Sequence, residues 1–130
     1  MLDITHTVKE KQPFKQWLFL FLKEQILGKK YDLSVAFVGE TSSKKANLSS
    51  RGKNKSTNIL SFPLNKTSGE ILICPVVAKR EYKKFDLSYQ DFLTYLFIHG
   101  CLHLKGHDHG EEMEKLEDKY LTLALKQRNK

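Results

Sequence analysis

The chain has 130 residues, the length of one domain with a hydrophobic core of its own, and it shows no repeat, linker or second domain. Its 40% apolar and 28% charged residues fit a soluble globular protein, and a net charge of +7 points to a polyanionic partner, either nucleic acid or an anionic membrane surface. Two cysteines, Cys74 and Cys101, give no disulfide framework and fit a reducing cytosol. No signal peptide is read, and the apolar run Trp17 to Leu22 is too short to span a bilayer, so a cytoplasmic protein without a membrane partner is expected.

In chain order, Leu2 to Val8 reads as a short strand. Pro13 suits the first turn of a helix over Phe14 to Leu27, with Phe14, Trp17, Leu18, Phe21 and Leu22 as its core face and Gly28 as its stop. Tyr31 to Val38 alternates, with Leu33, Val35 and Phe37 on one face, and reads as a strand. Thr41 to Asn54 is polar, carries Lys44, Lys45, Arg51 and Lys53, and reads as a short helix or loop with little core. It is either a solvated charge run or a phosphate contact. Asn58 to Pro63 reads as a short strand ended by proline. Gly69 to Cys74 is a continuous apolar strand. Pro75 opens a short helix to about Phe85, whose Lys79, Arg80, Lys83 and Lys84 add a basic surface.

Ser88 and Asp91 form a capping-box pattern that starts a helix at Tyr89, running to about Lys105. Asp108 and Glu111 repeat the pattern. Asp108 therefore either caps the last helix or orients a ligand imidazole. That helix spans Glu111 to about Lys126, with Met113, Leu116, Tyr120 and Leu123 facing the core and Lys126, Arg128 and Lys130 complementing its dipole. The expected fold is one α+β domain over residues 1–130. It has a small mixed sheet of about four strands, helices packed mainly on one face, and a metal site where the two C-terminal helices meet. A basic cleft should lead to that site.

Four of the five histidines crowd into Ile98 to Gly110: His99, His103, His107 and His109. At about 100° per residue, Phe92, Leu96, His99 and His103 fall within roughly 60° of one another. The two histidines thus continue the buried edge of an amphipathic helix, where an unpaired ring is costly. Gly106 ends the helix and lets the chain bring His109 back towards them. Three imidazoles with a fourth position open to water are the layout of a catalytic zinc. Were the helix to continue, His99, His103 and His107 would align instead. Cys101 lies roughly 160° round the helix, outside the ligand set. The spacing H-x-x-x-H-x-x-G-x-x-H is that of metzincin proteases, but their general-base Glu is replaced by Gly100, which disfavours proteolysis.

The stretch H-G-C-L-H-L-K-G-H-D-H resembles the signature of the YbeY family, bacterial endoribonucleases and rRNA maturation factors. The resemblance runs from about Arg51 to His109 and implies His99, His103 and His109 as zinc ligands, one Zn2+ per chain. Arg51 to Pro63, R-G-K-N-K-S-T-N-I-L-S-F-P, resembles a second family motif whose arginine lies near the metal and is implicated in activity. A guanidinium suits that place, because it holds phosphate oxygens in a fixed fork and keeps its charge. Asn54 stands where the family is usually acidic, and Glu70 where Asp is usual.

The function this implies is a zinc-dependent endoribonuclease specific for single-stranded RNA, acting in 16S rRNA processing and ribosome quality control. Its catalytic residues would be Arg51, His99, His103 and His109, and its partners RNA and the ribosome or its assembly factors. The residues alone give a metal, positive charge and an arginine. Two readings of other classes stand beside it: a ribosome-assembly RNA-binding module with a structural zinc, and a metallopeptidase-like hydrolase.

Overall fold

The chain runs β1 (Leu2–His6), α1 (Gln16–Ile26), β2 (Asp32–Phe37), α2 (Glu40–Arg51), β3 (Ile59–Asn65), β4 (Ser68–Ile73), α3 (Pro75–Glu81), α4 (Tyr89–Lys105) and α5 (Glu111–Arg128), in a computed structural model that describes residues 1–129. A single 3-10 turn, Tyr82–Phe85, joins α3 to α4. The strands make one mixed sheet in the order β1-β2-β4-β3, parallel except for β3, which pairs antiparallel with β4 at the edge. This is the expected α+β domain.

Alternation decides which face of the sheet is covered. In β2, Leu33, Val35 and Phe37 are buried while Asp32 and Ser34 are exposed. Gly69, Ile71 and Ile73 of β4 continue the buried face. Helices α1 and α4 supply its cover, and Phe19 of one stacks on Phe97 of the other with centroids 4.1 Å apart. Gly100 lets α4 lie close to the sheet. A Cβ there would sit 2.9 Å from Ile71 Cδ1 and 3.0 Å from both Ile59 Cδ1 and Ser61 Oγ.

Several local expectations are corrected. Helix α1 starts at Gln16, so Pro13 precedes it, and its buried face is Leu18, Phe19, Leu22, Lys23 and Ile26, while Trp17 is 51% exposed. The run from Trp17 to Leu22 is apolar at every angle, so periodicity could not choose a face, and the stack on Phe97 does. The polar stretch after β2 is a full helix, α2, whose only buried residues are Ser43 and Asn47. Strand β3 continues through Pro63 to Asn65, because a missing N–H is harmless on an edge strand.

Helix α4 has the expected bounds, and Ser88 Oγ accepts the Asp91 N–H at 3.1 Å. The Asp91 carboxylate does not reach back to close the box; it pairs with Arg128 of α5. Helix α5 begins after Gly110 with no side-chain cap, so Asp108 does not cap it. Leu123 is only half-buried and stands outside the core cluster that Met113, Leu116 and Tyr120 join or pack against. Lys130 lies outside the described residues. Among the described residues no helix is long and apolar enough to cross a membrane.

Candidate metal centre

Helix α4 carries His99 and His103 on one edge, one turn apart. Gly106 then takes a left-handed conformation, φ 109°, and the His107 N–H donates to Leu102 O at 3.0 Å. That bond closes a Schellman turn, which satisfies the helix's last carbonyls and reverses the chain. His109 comes back over the helix end. One nitrogen from each of His99, His103 and His109 lies within 4.8 Å of the others, and this cluster could hold a metal ion.

Each ring on α4 is fixed from behind. His99 Nδ1 meets Glu117 Oε2 at 2.5 Å, and His103 Nδ1 meets the His107 carbonyl at 3.0 Å. A carboxylate and a carbonyl only accept, so both Nδ1 atoms donate. In the neutral rings both Nε2 atoms are then unprotonated, facing each other at 3.1 Å. Lone pair against lone pair is repulsive, and a cation shared between the rings relieves it. The donor set therefore fits a metal, and the backing carboxylate is the usual partner of a ligating imidazole. Burial, then the neighbouring His99 and His109, lower the His103 pKa, which keeps its lone pair free at neutral pH.

Glu117 sits on α5, 5% exposed, and is the carboxylate that orients the His99 ring. Asp108 was the sequence's candidate; it is exposed and makes no such contact. The signal for Glu117 was its register: it falls four residues after Met113 and seven before Ala124, both buried, so an acid interrupts an apolar stripe. Tyr95 lies beside this pair, its ring centroid 6.3 Å from that of His99. Burial and then the Glu117 charge push its pKa up to about 12, so it keeps its proton.

The histidines open into a cavity of about 630 Å³ whose other wall is Ser50 and Arg51 at the end of α2 and the run Thr57 to Pro63. Arg51 is exposed there, across from the three rings. Among the described lining residues it is the one permanent cation, so the cleft is less basic than expected. Lys44 and Lys55 border a separate shallow depression with Asn54. Lys79 and Arg80 are paired with Glu10 and Glu40. Cys101 is fully buried and away from the cluster.

What places Arg51 is a set of polar clamps. Ser43 Oγ donates to Thr57 O at 2.8 Å and accepts the Thr57 N–H at 2.9 Å. Asn47 Nδ2 donates to Lys55 O at 2.8 Å. Ser43, Asn47 and Arg51 are spaced four apart, on one stripe of α2. The helix is thereby tied to the segment that enters β3.

A profile of the family described as Endoribonuclease YbeY matches residues 3–124 of this chain. The chain belongs to the YbeY endoribonuclease family. It is 35% identical over 129 residues to an Endoribonuclease YbeY of Buchnera aphidicola, covering 88% of this chain and 80% of that protein. The Endoribonuclease YbeY of Bdellovibrio bacteriovorus is 42% identical over 89 residues, 66% of this chain and 59% of that protein. A solution structure from Thermotoga maritima superposes with a TM-score of 0.66 at 28% identity, over 99% of this chain and 92% of that one. The family match and the fold match each run along nearly the whole chain.

Proposed function

We propose that this chain is a zinc-dependent endoribonuclease that cuts single-stranded RNA in the cytoplasm, in rRNA maturation that includes 16S rRNA processing, and in ribosome quality control. The ribosome or its assembly factors would be its partners. The observation that carries the reading is one cavity with three convergent imidazole nitrogens on one wall and Arg51 on the other.

His99, His103 and His109 would hold one zinc. Bound there, zinc supplies Lewis acidity and a water of pKa about 7. Glu117 fixes the His99 ring and its tautomer, and the His107 carbonyl does the same for His103. Arg51 takes non-bridging oxygens of the scissile phosphate in a bidentate fork and stabilises the charge that builds on them. A peptidase reading lacks its general base. The position after His99 is Gly100, which faces Ile71, Ile59 and Ser61 with no room for a side chain.

Native mass spectrometry should find one zinc per chain, and the zinc-loaded protein should cut single-stranded but not duplex RNA. His103→Ala should lose both metal and cleavage. Zinc-loaded protein that binds RNA without ever cutting it would overturn the reading in favour of an assembly module.

A further inference from the structure

Phe62 stacks on no other ring among the described residues. Of the chain's eight phenylalanines, six pair with another ring, and Phe21 packs against the core. Phe62 is half-buried, belongs to no such pair among the described residues, and lines the cavity that holds Arg51 and the histidines. It adjoins Ser61, whose hydroxyl donates to Gly100 O at 3.2 Å, next to His99. A partly exposed aromatic ring lining a nucleic-acid cleft can serve as a stacking platform for a base.

The backbone beside it is also unpaired. Strand β3 is an edge, bonded only to β4. The Cys74 N–H donates to Asn58 O at 2.9 Å, which sets the parity of the ladder. Leu60 and Phe62 therefore turn their backbone groups to β4, while Ile59, Ser61 and Pro63 turn theirs outward. Pro63, which has no N–H, falls in the outward set as it must. Glu70 stands opposite Phe62 across the ladder, and its charge disfavours a phosphate over the ring. The occupant that fits is a nucleobase.

We propose that the outer edge of β3 reads single-strandedness: Phe62 stacks one unpaired RNA base, and the outward N–H of Ser61 holds the strand beside it. A paired base has both faces covered by its stack and cannot be seated there. The proposal rests on the ribonuclease reading above and adds the residue that selects its substrate.

The test pairs protein variants with single abasic sites moved along a short single-stranded RNA. Phe62→Ala should lower kcat/KM for intact RNA by roughly 5- to 150-fold, the worth of one base stack. One abasic position should cost the wild type the same factor and cost Phe62→Ala nothing more. Phe62→Leu, which keeps bulk without a π face, should behave as Ala does, and Phe62→Tyr should restore the rate. Zinc content and thermal transition should not move, since the ring is outside the core. A readout independent of cleavage is Phe62→Trp in a Trp17→Phe background, whose fluorescence should be quenched by single-stranded RNA and not by duplex. Wild-type rates in Phe62→Ala or Phe62→Leu, or an unquenched tryptophan, would overturn the proposal while leaving the nuclease intact. Failure of the wild type to cut any RNA would instead overturn the function it rests on.

Discussion

On the histidine wall of the cavity, α4 buries Phe92, Leu93, Leu96, Phe97, Ile98 and Leu102 between the sheet and the neighbouring helices. On the arginine wall, α2 buries only Ser43 and Asn47, and hydrogen bonds to the backbone of residues 55–57 hold it. Each buried large apolar side chain is worth about 1.5–3 kcal/mol, whereas a net hydrogen bond is worth about 0.5–1.5 kcal/mol. The geometry of the histidine wall is thus set by the global fold. The geometry of the arginine wall is set by a few polar contacts that can open locally.

The largest effect should come from the rigid wall. His103→Ala removes the central donor and should take both bound zinc and RNA cleavage to background, with the fold retained. Full metal content in that variant, by native mass spectrometry, would contradict the assigned cluster. Next comes Arg51→Ala. Loss of one preorganised donor should slow single-turnover cleavage by about 10²-fold at saturating enzyme, with zinc content unchanged. Arg51→Lys should recover part of the rate, since a point charge lacks the fork. Normal single-turnover rates in Arg51→Ala would reduce the residue to an RNA anchor.

Glu117→Gln should act more mildly. The amide can still accept from His99 Nδ1 but carries no charge, so zinc affinity should fall by about 10-fold, the low end for a residue behind a ligand. Competition with a chelator measures it, and an unchanged affinity would show that the ring needs no anionic partner. The contrast between walls predicts a smaller effect again. Amides of α2 should exchange with solvent well before those of α4. Asn47→Ala leaves the Lys55 carbonyl without its partner and should speed α2 exchange further, with a few-fold loss in cleavage and full zinc retention. Equal protection of the two helices would remove the distinction between the walls.

The histidine wall was legible because its signals are local. Ser88, Gly106 and the apolar stripe fix α4 from Tyr89 to Lys105, and the stripe carries His99 and His103 with it. The arginine wall was not, because Ser43 and Asn47 bond to backbone carbonyls that no side-chain pattern reports. Arg51 itself entered through the family motif, not through periodicity. Trp17 misled because a fully apolar run has no preferred face until a partner such as Phe97 is present. Asp108 misled for a similar reason: a capping pattern names a role but cannot tell whether Gly110 will take it.

The smallest effect should be at His107, and a null result there is informative. His107 stands four residues after His103, so a helix continued through Gly106 would make His99, His103 and His107 the triad. Instead the Schellman turn takes the His107 side chain out of the cluster and its carbonyl into contact with His103 Nδ1 at 3.0 Å. Every residue has that carbonyl. His107→Ala should therefore keep zinc stoichiometry, zinc affinity and cleavage at wild-type levels, while His109→Ala loses the metal. Loss of metal in His107→Ala with retention in His109→Ala would mean that the helix does not end at Gly106 when zinc is bound, and the rival triad would stand.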